Sequence, residues 1–273
     1  MENLEQIKEK KSRIVKAYRE FFSGKGYEEN LPVGFVTSDP SLLFTNSTIV
    51  PWRAHLGKSQ IPAGGVFVSP LQPCLRFQAL YDNLNSDLRK ETSPNKCLGY
   101  FNMAGILCEG DKADRLITDV GDLLLNWLHL KRENIQLFIS DDNQFLRGRD
   151  NPFEVAIEKG KSESYKWTYG QEGVEGEGVK IRLAQKNGSF LSVGQIIRIT
   201  TPSKVCYEFG FGVETFLARS TQSDTYNAWT ISHCMPKQYR FKTYQDLASC
   251  FGTGLAIPWE MLNRKHRKEI RRA

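Results

Sequence analysis

The 273-residue chain has no apolar run approaching the roughly 18 residues of a membrane span, and its amino terminus is a charged segment, not a hydrophobic leader. That combination predicts a cytosolic (cytoplasmic) protein with no membrane partner. Its six cysteines (Cys74, Cys97, Cys108, Cys206, Cys234 and Cys250) form no CxxC pair, and with only four histidines in the sequence no metal site of the zinc type is expected. A phosphate-cradling P-loop is also missing. The glycine-rich run from Trp167 to Gly178 carries three glutamates and lacks the Lys-Ser or Lys-Thr ending such a loop needs. The charge imbalance is small: net charge is +6, and the final run Arg264 to Arg272 holds six Lys or Arg against one Glu. Such a run is either a solvated helix face or tail, or a contact for RNA or an acidic partner. What the chain does have is 40% hydrophobic content, enough to bury a substantial core in one large α/β or α+β domain, with or without a small appendage.

The stretch from Gln72 to Asp111 organises the rest. An apolar run Gln72-Pro-Cys-Leu-Arg-Phe-Gln-Ala-Leu80 is followed by a polar excursion from Tyr81 to Lys96 and then by Leu98-Gly-Tyr-Phe-Asn-Met-Ala-Gly105, the pattern of two antiparallel strands joined by a long loop. Arg76 lies inside the first run. Its guanidinium keeps its charge and needs a carboxylate or phosphate partner, and its planar fork suits phosphate oxygens. Loops of that length inside compact domains are uncommon unless they serve a ligand. Upstream, Ile7, Ile14, Val15, Tyr18, Phe21 and Phe22 recur near helical spacing, so Leu4 to Phe22 reads as one amphipathic helix ended by Gly24 and Gly26. After an extended piece from Asn30 comes Ser38-Asp-Pro-Ser-Leu-Leu-Phe-Thr-Asn46, read as a turn and a buried strand ending at Thr45-Asn46, then a short helix from Trp52 to Gly57.

These residues resemble the opening of the catalytic domain of alanyl-tRNA synthetases, which are class II aminoacyl-tRNA synthetases. The order of a helix with Phe21-Phe22, Gly24-Lys-Gly-Tyr27, then Asp39-Pro-Ser-Leu-Leu-Phe-Thr-Asn46, then a helix ending in Leu56-Gly57 carries the likeness. Gln72-Pro-Cys-Leu-Arg76 falls at that family's second class-defining motif, and Tyr100-Phe-Asn-Met-Ala-Gly105 resembles its Phe-Phe-Glu-Met-Leu-Gly. The resemblance implies an α+β fold, a class II synthetase-like antiparallel sheet flanked by helices. It implies that Arg76 is the catalytic cation on the α-phosphate of ATP and that Phe101 or Met103 lines the adenine pocket. Farther on, Val205-Cys-Tyr-Glu-Phe-Gly-Phe-Gly-Val-Glu-Thr215 resembles the third class-defining motif, a strand turning through Gly210 and Gly212 into a helix. Those glycines complete the implied ATP-binding set, and Glu208 matches the acidic position that binds the amino group of the amino acid, although the family uses the shorter Asp.

Two positions depart from the family. Thr215 stands where the motif ends in an Arg that grips the γ-phosphate, and Lys180 aligns with a Glu near the nucleotide. The expected cofactors are ATP and Mg²⁺, with the metal put in question by Lys180. Between these motifs, Asp111 to Leu130 reads as a helix packed on the sheet, Gln136 to Ser140 and Ser192 to Thr200 as strands, and Asp150 to Lys161 as a surface helix or loop. Asp141 and Asp142, at a strand end, are either a solvated turn or a ligand site. Four glycines within Gly170 to Gly178 allow close backbone approach or make a flexible turn.

The resemblance implies a division into a synthetase-like catalytic domain over 1–222 and a helical extension with a basic tail over 223–273, and the expectation is a stand-alone catalytic core without the tRNA-binding, editing and oligomerising regions of a full alanyl-tRNA synthetase. The expected function is an ATP-dependent amino-acid-activating ligase that forms an aminoacyl adenylate and passes the aminoacyl group to tRNA, a carrier protein or a small molecule. The alternative is a non-catalytic paralogue acting as a binding or regulatory subunit. A homodimer, or a partner subunit, is expected to contact the Leu42 to Leu56 region.

Overall fold

The computed structural model describes residues 4–34, 42, 44–57, 60–68, 71–76, 100–146, 149–169 and 171–222. The expected amphipathic helix forms α1 (Leu4–Gly24), which buries Ile14, Tyr18, Phe21 and Phe22. Its end follows from the sequence: Gly26 adopts a left-handed φ of 78°, the Tyr27 N–H reaches the Phe22 carbonyl at 3.1 Å and the Gly26 N–H reaches the Ser23 carbonyl at 3.1 Å. This is the Schellman termination, and its usual apolar contact is present as the Tyr27 and Phe22 rings, 5.2 Å apart. Tyr27 then donates to Asp119 at 2.9 Å, tying the helix exit to the next layer.

Ten strands among the described residues make one sheet: β1 (Glu28–Asn30), β2 (Val66–Val68), β3 (Gln72–Leu75), β4 (Tyr100–Glu109), β5 (Ile135–Ser140), β6 (Glu154–Glu158), β7 (Lys166–Thr168), β8 (Glu175–Ala184), β9 (Phe190–Thr200) and β10 (Val205–Gly212). The order is β1-β2-β4-β10-β9-β8-β5-β6, with β3 also on β4 and β7 also on β8. Only β1 with β2 and β5 with β6 run parallel; the other pairs are antiparallel, as expected for this fold class. The helices α2 (Arg53–Leu56), α3 (Ala113–Asp122), which continues into a π-helical turn at Leu123–Trp127, and α4 (Val213–Ser220) complete the fold.

Alternation along β4, β8, β9 and β10 sorts the sheet into two unlike faces. One carries Ala104, Ile106, Val179, Ile181, Ile196, Phe209 and Phe211 into the main core with residues of α1, α3 and α4. The other is lined along its middle by glycines: the register pairs Gly105 with Gly210 and Met103 with Gly212, while Gly176 and Gly178 lie opposite Ile199 and Ile197. Half of this second face is covered by Ile49, Val50, Trp52 and Leu56 packing on Leu107, Ile197 and Ile199. Among the described residues, the other half is left uncovered.

A gap in the ladder explains Tyr18. Beside β4, β3 pairs with residues 100–103 and β2 with 106 and 107, so Gly105 has no strand partner on that side. The Tyr18 hydroxyl fills the gap, donating to the Gly105 carbonyl at 2.6 Å and accepting from its N–H at 3.1 Å.

Three expectations are corrected. Asp150 to Lys161, read as a surface helix or loop, contains the edge strand β6. Backbone pairing with β5 makes it a strand, and its Val155 and Ile157 side chains stay exposed, so burial left no alternating signal. The glycine-rich run is not a flexible turn throughout: the turn passes through Gly173 with φ 71°, whereas Gly176 and Gly178 belong to β8. A Cβ on Gly178 would stand 2.4 Å from the Ile196 carbonyl oxygen, so it is a close strand approach that needs this residue. Finally, Phe44 to Asn46 form no strand. Thr45 instead accepts from the Leu75 N–H at 2.9 Å and donates its hydroxyl to the Gly34 carbonyl at 2.7 Å. The loop from Tyr81 to Lys96, the extension over 223–273 and its basic run lie outside the described residues.

Candidate active site

The open half of the glycine-lined face holds a cavity of about 240 Å³. Arg76 just beyond β3, Phe101 and Met103 on β4, and Gly210 and Gly212 on β10 all border it, so every residue expected at the ATP site converges on one place. The convergence comes from register: Gln72 and Gly212 both pair with Met103, which sets the start of β3 level with the end of β10 across one strand, so that β3 runs on past that end toward Arg76. Arg76 is exposed, and its guanidinium carbon lies 4.8 Å from the centre of the Phe101 ring. This cation–π contact is its partner among the described residues; no carboxylate pairs with it. Phe101 and Met103 pack on Cys74 beneath, a small apolar platform.

Lys180, Thr215 and Arg219 border the cavity from the other side, with Ser192 and Gln195 of β9 between. Both family departures therefore lie at the cavity. The Lys180 ammonium sits 4.2 Å from the centre of the Tyr165 ring and 3.4 Å from Ser164 Oγ. Burial, then the neighbouring Arg182, lowers its pKa. The neighbouring Glu158, whose charge opposes that lowering, accepts from the two terminal Arg182 nitrogens at 3.1 and 2.9 Å and from the Tyr165 hydroxyl at 2.5 Å.

Glu208 does not border this cavity. It is 4% exposed and lies one alternate position in from Gly210, where a Cβ would stand 3.4 Å from Glu208 Oε1. Thr48 donates its hydroxyl to the same oxygen at 2.6 Å, while Arg76 rests on the Phe101 ring instead. Burial pushes the Glu208 carboxyl up to about 7, against a smaller lowering by Thr48. Nearby, the Tyr169 hydroxyl and the Trp52 indole N–H are buried without a hydrogen-bond partner among the described residues. Burial, and then the Glu208 charge, raise the Tyr169 pKa. The other motif carboxylate, Glu214, is structural: it accepts from the Asn102 N–H and side chain at 2.8 Å each and from Lys11 at 2.6 Å, locking α4 to β4 and α1.

Thr48, Tyr169 and Arg219 were not singled out from sequence. Thr48 lies two positions past the Asp39 to Asn46 run, but nothing local pairs it with a glutamate 160 residues away. Asp141 and Asp142 prove to be exposed turn residues: Asp141 accepts from the Gly160 N–H at 3.3 Å, and Asp142 edges a separate cavity of about 490 Å³ bordered by acids and bases alike.

The fit of Mg²⁺ can be tested on the donors. Among the described residues no three His, Cys, Asp or Glu side chains gather in a metal-holding group, and the described cavity lining offers cations and neutral groups without a carboxylate. That set suits phosphate oxygens and does not suit a protein-held Mg²⁺.

No family model matches the chain. Over 178 residues, 61% of its length, it is 28% identical to the alanine–tRNA ligase of Paenarthrobacter aurescens, and over 176 residues, 60% of its length, it is 28% identical to that of Kineococcus radiotolerans. It spans about a fifth of these relatives, 19% and 18% of their lengths. Among solved structures, apo histidyl-tRNA synthetase of S. aureus superposes with a TM-score of 0.52 at 10% identity, covering 82% of this chain and 73% of that one. Asparaginyl-tRNA synthetase of Entamoeba histolytica gives 0.52 at 12% identity, covering 85% and 69%. At such identities the structural likeness concerns the fold.

Proposed function

The chain is a class II aminoacyl-tRNA synthetase-like homologue of the alanine–tRNA ligase catalytic domain, and from that premise we propose that it activates an amino acid with ATP. The observation that carries this reading is the meeting of Arg76, Phe101, Met103, Gly210 and Gly212 around one cavity, with a buried Glu208, paired with no cation among the described residues, one step away along β10. Adenine lies on the Phe101 and Met103 platform. Arg76 places its fork on the α-phosphate, where charge builds as the substrate carboxylate attacks and pyrophosphate leaves. The amino group of the substrate pairs with Glu208, supplying the positive charge that the carboxylate lacks and favouring its ionised form. Gly210 lets the two ligands approach, since a side chain there would reach toward Glu208 and Met103. No step is assigned to Mg²⁺. The adenylate then passes its aminoacyl group to an acceptor, which is tRNA, a carrier protein or a small molecule. The face around Leu42 to Leu56 is the surface through which a second copy or a partner subunit joins.

The test is ATP–pyrophosphate exchange across the amino acids, alanine and its small analogues first. Exchange with any one of them supports activation. A second reading rests on Thr215, which removes the cation expected on the γ-phosphate: binding of ATP without exchange makes this chain a non-catalytic binding or regulatory paralogue.

A further inference from the structure

The described lining of the cavity is electrostatically one-sided. Arg76 and Lys180 bring positive charge to it, and no described residue bordering it is a carboxylate. Among the described residues, the acids on the neighbouring elements are engaged elsewhere: Glu214 with Asn102 and Lys11, Glu158 with Arg182 and Tyr165, and Glu208 with Thr48 below Gly210. Mg²⁺ is ordinarily held by one or two carboxylates together with substrate phosphates, and a site built of cations repels it. Lys180 sharpens the point. Its ammonium rests on the Tyr165 ring and Ser164, with no carboxylate in ion-pair range among the described residues. Its charge is destabilised by burial and by Arg182, a penalty that an anion in the cavity would offset.

We propose that this cavity binds the polyphosphate chain of a nucleotide through protein cations in place of a divalent metal, with Lys180 taking the electrostatic part that Mg²⁺ plays beside a carboxylate. The proposal rests on the reading of the cavity as a nucleotide site. It differs from that reading in stating how the phosphate charge is neutralised, and it makes the Lys180 departure a functional replacement.

Calorimetric titration of the full chain with ATP, and separately with inorganic tripolyphosphate, in EDTA and in millimolar MgCl₂, distinguishes the cases. Affinity for ATP in EDTA should lie within about twofold of that in MgCl₂, because the charge-assisted contacts come from the protein. Lys180→Met should weaken both probes in EDTA by about tenfold, and Lys180→Arg should restore most of the loss, which separates charge from folding. Binding of ATP only when MgCl₂ is present overturns the inference and leaves the nucleotide reading standing. So does an EDTA affinity that Lys180→Met leaves unchanged. Tripolyphosphate bound in EDTA with the same Lys180 dependence, but no ATP, supports the metal-free anion site and removes the nucleotide reading. If neither probe binds in either buffer, both fall.

Discussion

At Glu208 a carboxyl group 4% exposed has one hydroxyl donor and a value pushed up to about 7 from the usual 4.5, so burial makes its charge costly. The sign follows from linkage. The folded state binds this proton more tightly than the unfolded state, so the contribution is fully present below pH 4.5 and is lost as pH rises through about 7. The loss amounts to on the order of 3 kcal/mol for a fully buried group. Glu208→Gln should therefore gain on the natural protein by about that much between pH 4.5 and 8 in urea denaturation. A stability difference that does not change with pH would mean the carboxyl is ordinary. Arg76 behaves oppositely because it is exposed and its contact is a ring. Arg76→Ala strands no buried carboxylate. It should leave the melting temperature nearly unchanged while weakening nucleotide binding about ten- to hundredfold, the worth of one charge-assisted contact. A large drop in melting temperature would show that Arg76 is structural.

Among the elements, β4 bears the greatest load, because it carries Phe101 and Met103 to the cavity while β2, β3 and β10 pair along it. Its weak point is Gly105, whose outward N–H and carbonyl are satisfied by Tyr18 alone on that side. Tyr18→Phe keeps the ring packing and removes both bonds. It should cost about 1–3 kcal/mol in chemical denaturation, the penalty of leaving buried backbone groups unpaired. A loss within a few tenths would mean water replaces the hydroxyl. In β8, Gly178→Ala drives a methyl toward the Ile196 carbonyl and must shift one strand against the other. Strand β8 also carries Lys180, so this change should lower both stability and cavity affinity, whereas Tyr18→Phe acts first on stability.

For the whole molecule, every described residue bordering the cavity lies between Arg76 and Arg219. Removing Arg264 to Ala273 should therefore leave nucleotide affinity within about twofold, while weakening any RNA or acidic acceptor that the six basic side chains of that run attract. Loss of nucleotide binding on truncation would place the tail in the pocket. Sizing at micromolar concentration checks the proposed association through the Leu42 to Leu56 region, which a dimer supports and a monomer contradicts.

Helix α1, its glycine stop, the pairing of β3 with β4 and the strand-to-helix turn at Gly210 and Gly212 were legible in the sequence because periodicity, turn chemistry and contiguous motifs are local. So were Arg76, Phe101, Met103, Gly210 and Gly212 of the cavity lining, each sitting in a short recognisable run, whereas Arg219, Ser192 and Gln195 were not. Edge strand β6 was not legible, since a strand held by backbone pairing at the end of a sheet needs no alternating pattern. Nor were the partners of the charged groups. That Glu208 meets Thr48 across 160 positions, that Arg76 lies on Phe101, and that Lys180 and Arg219 face the same cavity as Arg76 depend on strand order and register. Those are set by packing between distant segments, which no local pattern encodes.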